Sequence, residues 1–339
     1  MSDLVSILIP AYNAEKWIAD TLQSAISQDW QRKEVIVVDD GSMDSTLSVA
    51  RSFESKFVKV VTQENCGASA ARNRALSFAQ GGYIQWLDAD DLLAPDKISR
   101  QLRDAEAGAR SRVLLSSAFG KFYVDPQKAK FTPHVLWQDL EPVDFLINKF
   151  THNDWLNPGV WLVSRRLTEL AGPWDERLSL DDDGEYFARV VAMCERVKFV
   201  PQALVYYRMG NVGSLSRSVS DRACDSLLRS LSLSIGHLRS LEDSDRTRAA
   251  GVKLLQTCLD LNNCFFPNNV DRLCLADNLA RELGASLEPP HMRWKYVIIK
   301  ALFGTTVAKR MKNVVSNTKL LARIQYDRLR FQMSRKRYP

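Results

Sequence analysis

The sequence predicts an α/β protein with an open, mostly parallel sheet, helices on both faces of that sheet, and a C-terminal helical region. Across the first hundred residues, short β-branched apolar runs alternate with segments of helical periodicity, which is typical of a doubly wound sheet. Beyond about residue 220, glycines are few and leucines recur at spacings of three and four. Because 339 residues exceed the usual size of one domain, we expect two parts, residues 1–218 and residues 219–339.

The first β-α-β unit lies at the N-terminus. The runs VSILI (residues 5–9) and VIVV (residues 35–38) are continuously apolar, as strands buried on both faces of a parallel sheet are. Between them, apolar residues recur at helical spacing: Trp17, Ile18, Leu22, Ala25 and Ile26.

The alternation continues through two more strands. A helix capped by Ser42 or Asp44 precedes a third strand, VKVV (residues 58–61), and a helix over residues 68–79 precedes a fourth, YIQWL (residues 83–87). Ligands of such sheets bind beyond the carboxyl ends of the strands. Acidic clusters follow the second and fourth strands, so we expect them to converge on one edge.

The middle of the chain, from about residue 95 to residue 216, has a mixed pattern. Its predicted strands are VLLSS, KFYV, GVWLVS, VKFV and ALVYY, with helices between them. Four tryptophans fall in this part, and each fits a place in the core better than a place against a sugar ring. They are Trp137, Trp155, Trp161 and Trp174.

The net charge of +6 is distributed unevenly. Residues 291–339 contain 13 Lys or Arg and one acid, so they carry +12 and residues 1–290 carry −6. With apolar residues at helical spacing, this tail is a candidate basic amphipathic helix for an anionic membrane surface, and packing on the helical region is the alternative. Nucleic-acid binding is not expected, because no binding module is recognisable and the rest of the chain is acidic.

Targeting signals and cysteine spacing indicate the cellular compartment of the protein. The sequence shows no signal peptide and no apolar run of about 20 residues, so we expect a cytoplasmic protein, peripheral on the inner face of the membrane if the tail binds there. The six cysteines have no metal-ligand spacing, and we expect them to be reduced and buried.

Three carboxylates follow the fourth strand in YIQWLDADDL: Asp88, Asp90 and Asp91. A cation site, a helix cap and a general acid–base pair are the three possible uses. Asp91 or Asp96 is placed to cap the helix that begins near residue 97. Alternation along an extended segment puts Asp88 and Asp90 on the same side, where they suit a magnesium-type ion that takes one or two carboxylates.

Glycine patterns that bind phosphate are missing after the first strand. The segment PAYNAEKW there has neither G-x-G-x-x-G nor G-x-x-x-x-G-K-[ST]. Any bound phosphate must therefore be held largely by a metal ion and basic side chains. Arg72 and Arg74 lie in the first turns of the helix after Gly67, near its positive dipole end, although a surface role is the alternative for each.

Four segments occur in a distinctive order and spacing: SILIPAYNAEKWIADTLQSAISQDW, VIVVDDGSMDST, GASAARNRAL and YIQWLDADDLLAPDKI. Together they resemble the family-two glycosyltransferases of the GT-A fold. The resemblance is close over residues 4–100 and looser to about residue 216. It implies the Rossmann-like sheet of nucleotide-diphospho-sugar transferases and an inverting transfer from a nucleotide sugar.

The resemblance assigns nucleotide-sugar contacts to five residues. Pro10 and Tyr12 would lie against the base, and Asp40 would hydrogen-bond the base edge. Arg72 would lie toward the base or the diphosphate. Asp88 would approach the ribose and the metal.

The metal ligand and the catalytic base also follow from the resemblance. Asp90 would ligate Mn²⁺ or Mg²⁺ directly. In PWDERLSLDDDGEYFARVV, the acidic pair of the family matches Asp182 and Asp183, with Arg189 six residues later, and Asp183 would be the base. An inverting transfer needs such a carboxylate on the face opposite the leaving nucleotide. A helix cap is the other use of the triple aspartate, and Asp181 or Asp182 can supply it.

Two further points concern the residues that would bind the acceptor and one difference from the family pattern. In THNDWLNPGVWLVSRR, His152 and Trp155 are candidates for hydrogen bonding and stacking on a sugar. Many relatives carry a histidine after the segment that reads ALVYYRMGNVGSLS here, where this chain has Gly210 and Asn211. A further metal or phosphate contact from that loop is therefore in question.

These observations predict a metal-dependent inverting glycosyltransferase with a UDP-sugar as the expected donor. The expected acceptor is a glycan or lipid-linked saccharide in surface polysaccharide assembly. A nucleotidyltransferase that makes a sugar nucleotide is one alternative, but PAYNAEKW lacks the glycine-rich basic loop of that class. A catalytically inactive scaffold that binds glycan or membrane is the other.

Overall fold

The computed structural model describes residues 4–105, 111–211, 220–261, 264 and 270–289. In the C-terminal segment it describes residues 302, 304, 311, 318, 322 and 324–327. The membrane-binding prediction for residues 291–339 therefore lies almost wholly outside the described residues.

The described strands form one mixed sheet. They are β1 (Val5–Ala11), β2 (Lys33–Asp39), β3 (Val58–Thr62), β4 (Tyr83–Trp86), β5 (Leu92–Leu93), β6 (Val113–Phe122), β7 (Lys130–Phe131), β8 (Leu162–Ser164) and β9 (Arg196–Arg208). Their order is β3-β2-β1-β4-β8-β6-β9-β5, and β7 pairs with β6. Because β1 is parallel to β2 and β4, and β2 is parallel to β3, these four strands end at one edge, as predicted.

The described helices connect and cover these strands. They are α1 (Ile18–Ile26), α2 (Thr46–Arg51), α3 (Ala68–Phe78), α4 (Lys97–Arg103), α5 (Pro142–His152), α6 (Arg165–Ala171), α7 (Asp182–Met193), α8 (Asp221–Leu241), α9 (Asp245–Leu261) and α10 (Val270–Glu282). Helix α3 packs on β1 and β2, and α4 packs on β9. No helix within the described ranges is both long enough and apolar enough to cross a bilayer.

The main core lies between the sheet and these helices. Ile7, Leu8 and Ile9 of β1 have no exposed surface, which agrees with the continuous apolar run in the sequence. Of the tryptophans, Trp161 and Trp174 are also buried in this core. Trp155 differs from them, since 39% of it is exposed, and it is considered with the site below.

Two long strands of the structure, β6 and β9, each contain two of the predicted strands. VLLSS and the start of KFYV are both part of β6, and VKFV and ALVYY are both part of β9. The two long strands run parallel to each other, with a register shift where Ser117 pairs with Val200 and Ala118 pairs with Leu204. Pro201 lies in this irregular stretch, where a residue without an N–H group costs no ladder hydrogen bond.

The predicted helix caps are only partly present. The N-cap of α2 is Ser45, without a side-chain capping hydrogen bond, so neither Ser42 nor Asp44 is the cap. Asp44 Oδ1 does accept a hydrogen bond from the backbone N–H of Thr46, the first residue of α2 (2.9 Å). Asp96, one of the two residues predicted for α4, occupies the N-cap position, but its side chain makes no capping hydrogen bond, and Asp91 is not at the cap. Asp96 instead pairs with Arg100 at 2.6 Å.

The helical region has a second apolar core. It is formed mainly by the buried faces of α8, α9 and α10, and α8 also packs on α7 while α9 packs on α5. Within it Cys224 and Cys264 form a disulfide. The prediction that all six cysteines are reduced is therefore wrong for this pair, because the fold brings together two residues that are 40 positions apart. The prediction that all are buried is wrong for Cys66 and Cys274, which are exposed.

Candidate active site

The loops after β1 and β2 are joined to each other by hydrogen bonds. Asn13 N donates to Ser42 Oγ at 2.9 Å, and Met43 N donates to Asn13 Oδ1 at 2.9 Å. Tyr12, the neighbour of Asn13, has 46% of its surface exposed, and Pro10 lies half-buried near the end of β1. The hydrogen bonds hold the two loops together, and Tyr12 next to them is accessible to a ligand.

Asp40 is buried beneath the next loop. Its carboxylate accepts hydrogen bonds from Gln63 Nε2 (2.7 Å), Cys66 N (3.0 Å) and Gly67 N (2.8 Å). Gly67 has a φ of 96°, a conformation that favours glycine, and it directly precedes α3. Asp40 therefore holds the loop that leads into α3, and a ligand could use only the lone pairs that these donors leave.

The three carboxylates after β4 have different surroundings. Asp91 has no exposed surface, and it accepts hydrogen bonds from Asn157 Nδ2 and Arg208 N, each at 2.9 Å. Burial, and then the charges of Asp90 and Asp88, raise the pKa of Asp91 well above its usual value. Asp91 is thus a buried link between the β4 loop and β9, which the sequence did not indicate.

Asp88 and Asp90 are the candidate metal ligands. Burial raises the pKa of Asp90, the amide of Asn211 opposes that shift, and the charge of Asp88 adds to it. Among the described residues, no group of three or more His, Cys, Asp or Glu side chains is arranged to hold a metal. A pair of mutually repelling carboxylates nevertheless fits Mg²⁺ or Mn²⁺, because such ions take one or two carboxylates and complete their shell with water and phosphate.

Two residues of this group were missed from the sequence. Arg208 donates from Nε to the backbone oxygen of Asp90 at 2.8 Å, and its guanidinium lies 4.7 Å from the ring centres of both Trp17 and Phe122. Asn211 Nδ2 donates to Asp90 Oδ2 at 3.1 Å. Asn211 thus contacts the candidate metal ligand Asp90 from the loop that follows β9. No local pattern marks Arg208, and Asn211 stands out only because its loop departs from the family resemblance.

Arg72 joins the two acidic parts of the site. Its Nη2 donates to Asp88 Oδ1 at 3.0 Å, and its Nη1 donates to Asp182 Oδ2 at 2.6 Å. The guanidinium also lies 4.3 Å from the ring centre of Trp174. Only 7% of the side chain is exposed, so the group assigned to the nucleotide by resemblance is engaged mainly by the protein.

Asp183 lines a cavity beside Trp155. Trp161, Phe187 and Lys149 also line it. Burial raises the pKa of Asp183 to about 7, the charges of the two preceding aspartates raise it too, and the charge of Arg72 lowers it. A carboxyl group with a pKa near neutrality suits a general base at physiological pH.

The two candidate acceptor residues are placed differently. Trp155 lines the cavity of Asp183 and packs against Phe119 and Tyr207, with ring centres 5.2 and 5.0 Å away. His152 is exposed at the end of α5, and its Nδ1 lies 3.1 Å from the backbone oxygen of Asn148 in the same helix. The structure thus brings Trp155, but not His152, to the cavity lined by Asp183.

The N-terminal part of the sequence matches a known protein family. Residues 6–155 match the family model described as Glycosyl transferase family 2. TuaG of Bacillus subtilis (strain 168), named as a glycosyltransferase of teichuronic acid biosynthesis, is 42% identical over 102 residues, which are 29% of this chain and 40% of TuaG. WfaP of Escherichia coli, a UDP-Glc:alpha-D-GlcNAc-diphosphoundecaprenol beta-1,3-glucosyltransferase, is 36% identical over 124 residues, 36% of this chain and 47% of WfaP. The chain thus spans less than half the length of these two relatives.

The fold also matches a solved structure over most of the chain. S. aureus TarS (residues 1–349), solved in complex with UDP-GlcNAc, superposes with a TM-score of 0.63 at 18% sequence identity. The match covers 83% of this chain and 80% of the TarS chain. The GT-A fold that the sequence predicted, followed by a helical region, is therefore confirmed.

Proposed function

Because residues 6–155 match the model of glycosyl transferase family 2, we propose that the chain is a metal-dependent inverting glycosyltransferase of that family. It moves a sugar from a nucleotide sugar, in our proposal a UDP-sugar, to a glycan or lipid-linked saccharide in surface polysaccharide biosynthesis. Residues 1–218 are the transferase domain, and residues 219–339 are the helical region.

The bridge made by Arg72 is the observation that carries this proposal. Arg72 contacts Asp88, one of the two proposed metal ligands, and Asp182, the neighbour of the proposed base Asp183. A transferase needs its leaving-group site and its base close together, on opposite faces of one sugar. The bridge brings the two acidic groups within the reach of one arginine side chain.

The donor side uses the edge of the parallel strands. Tyr12 and Pro10 receive the base, and Asp40 with its loop borders it. Asp88 and Asp90 would hold Mn²⁺ or Mg²⁺, and Asn211 and Arg208 fix the position of Asp90. When bound there, a divalent cation would supply positive charge to the diphosphate leaving group.

The acceptor side uses the cavity of Asp183. An acceptor sugar stacks on the exposed face of Trp155 and presents a hydroxyl to Asp183. Asp183 takes the proton as the hydroxyl oxygen attacks the anomeric carbon, and the bond from that carbon to the nucleotide diphosphate breaks. The new glycosidic bond forms on the opposite face, so the configuration inverts.

The relatives support the class of donor and acceptor. The names of WfaP and of the TarS complex contain UDP-Glc and UDP-GlcNAc, which favours a UDP-sugar here. The name of WfaP specifies a diphosphoundecaprenol-linked acceptor, and TuaG is named for teichuronic acid synthesis. A lipid-linked or polymeric saccharide acceptor is consistent with both names.

Hydrolysis of donor sugars tests this proposal without a known acceptor. With Mn²⁺, the wild-type protein should release UDP from UDP-glucose or UDP-GlcNAc, and Asp183→Asn should abolish release while still binding UDP. Equal release by the wild type and by Asp183→Asn would rule out Asp183 as the base. An inactive scaffold would release nothing. A nucleotidyltransferase would instead form pyrophosphate from UTP and a sugar phosphate.

A membrane location is a separate part of the proposal. The charge of +12 on residues 291–339 suits an anionic surface, where each basic residue contributes about 1 kcal/mol. The chain should therefore sediment with vesicles that contain phosphatidylglycerol and should stay free of phosphatidylcholine vesicles. Equal behaviour with both vesicle types would contradict a peripheral location on the inner face of the membrane.

A further inference from the structure

The backbone just before the proposed base is strained. Asp181 has φ 62° and ψ 29°, the left-handed conformation, although it is not a glycine. Such a conformation is unfavourable for a residue that carries a side chain, and it persists where the surroundings fix it. Asp181 is two residues before Asp183 and directly precedes α7, so its conformation sets the direction in which the first turn of α7 begins.

Ser230, a residue of α8 in the helical region, contacts this strained residue. Its Oγ lies 2.8 Å from the backbone oxygen of Asp181 and 2.6 Å from Asp181 Oδ2, and the two oxygens share its single proton. The Asp181 carboxylate in turn lies against Gly184, where any side chain would overlap it. Lys149 Nζ donates to the backbone oxygen of Gly184 at 3.1 Å.

A second serine of α8 holds the residues immediately before Asp181. Ser226 Oγ accepts hydrogen bonds from Ser179 N (2.7 Å) and Leu180 N (2.9 Å), and it lies 2.9 Å from the backbone oxygen of Leu180. Ser226 and Ser230 are four positions apart, so both hydroxyls are on one face of α8. That face holds the chain that leads into α7.

The hydroxyls of Ser226 and Ser230 are not needed for packing alone. Burying a hydroxyl costs free energy unless it is hydrogen-bonded, so an apolar residue would fill the space between α7 and α8 without that cost. Ser234, also buried and one turn further along α8, makes no hydrogen bond to residues 179–185, all of which the structure describes. The polar contacts are thus directed at the segment that precedes Asp183.

We propose that Ser230 is a positioning residue for Asp183, and that the helical region thereby forms part of the active site. This inference rests on the proposed function, in which Asp183 is the base. Loss of the Ser230 hydroxyl leaves the Asp181 carboxylate without its donor and lets residue 181 relax. The first turn of α7 then shifts, and the carboxylate of Asp183 moves away from the acceptor hydroxyl.

Amide exchange tests the positioning itself. Glu185 N donates to the backbone oxygen of Asp181 at 3.2 Å, so its hydrogen exchange reports on the first turn of α7. In Ser230→Ala, exchange at Glu185 should accelerate relative to the wild type, and in the matched control Ser234→Ala it should not. Equal exchange in both variants would overturn the inference. If Ser230→Ala fails to fold, Ser226→Ala takes its place, with the same expectation.

Kinetics tests the consequence for catalysis. With UDP-GlcNAc or UDP-glucose and Mn²⁺, Ser230→Ala should lower kcat by up to about 100-fold, the scale of a misplacement of about 1 Å. The KM for the donor and the affinity for UDP should match those of Ser234→Ala, and Ser230→Thr should restore much of kcat. Equal kcat for Ser230→Ala and Ser234→Ala would contradict the proposal.

The proposed function can fail separately. If Asp183→Asn keeps wild-type turnover, the assignment of the base is wrong, whatever the serine variants do. If Asp183→Asn is inactive and Ser230→Ala is fully active, only the positioning role of Ser230 is wrong.

Discussion

Arg72 and Asp182 form a buried ion pair, with 2.6 Å between Nη1 and Oδ2, although 110 residues separate them in the sequence. The same guanidinium pairs with Asp88, so it fixes the loop after β4 relative to the start of α7. The structure therefore joins the two acidic parts of the proposed site through one cation. It also leaves Asp183, next to Asp182, free of a direct ion pair with that cation.

Replacing Arg72 should destabilise the protein strongly. Arg72→Met leaves Asp88 and Asp182 without their partner, and breaking a buried pair costs about 3–5 kcal/mol. Denaturant unfolding checks this, and Arg74→Met is the matched control because Arg74 is exposed on the same helix. Equal stability of the two variants would show that the bridge contributes nothing.

Activity should rise with pH through neutrality. Asp183 must be ionised to accept a proton, and its pKa is raised to about 7, so kcat/KM should fall below about pH 7 as the carboxylate is protonated. Because the charge of Arg72 lowers that pKa, a folded Arg72→Met variant should have its acid limb at higher pH than the wild type. A profile that stays flat across neutral pH would contradict the assignment of Asp183.

The exposed ring of Tyr12 should contribute to nucleotide affinity. Stacking of a base on an aromatic side chain is worth about 1–3 kcal/mol, so Tyr12→Ala should weaken UDP binding by about 5- to 150-fold. Met43→Ala is the control, because Met43 is 84% exposed in the adjoining loop. Calorimetry with UDP and Mn²⁺ measures both variants. An unchanged affinity in Tyr12→Ala would place the base elsewhere.

The disulfide should stabilise the helical region. Cys224→Ser should lower the free energy of unfolding by about 2–4 kcal/mol, the usual contribution of a disulfide. Cys258→Ser, at a free cysteine of α9, should have a smaller effect. Reduction should destabilise the wild type as much as Cys224→Ser does. A wild type that is insensitive to reductant would show that the bond is absent in solution.

Local patterns in the sequence were sufficient for the first half of the sheet. The apolar runs of β1 to β4 predicted the strands, and the rule that parallel strands end at one edge placed Asp40 and Asp88 together. The long strands β6 and β9 each correspond to two predicted strands, and in β9 the division falls at Pro201 and Gln202, which resemble a turn. A proline in a strand can be accommodated by an irregular stretch, and only the pairing with β6 shows that.

The remaining features depend on contacts between distant segments. Asp91 resembled a helix cap, but β9 and Asn157 enclose it. The contact of Ser230 with Asp181 joins residues 49 positions apart and has no periodicity that a sequence pattern could show. Such contacts arise from the packing of whole elements, so they became visible only in the folded chain.

Metal-dependent binding of UDP tests the central claim most directly. The wild-type protein and Asp90→Asn would be titrated calorimetrically with UDP, with and without Mn²⁺, and with GDP and CDP as alternative nucleotides. The account predicts tight binding of UDP by the wild type only when Mn²⁺ is present, and loss of that dependence in Asp90→Asn. If Mn²⁺ leaves the UDP affinity of the wild type unchanged, the carboxylates after β4 do not hold a cation and diphosphate, and the proposed mechanism is wrong.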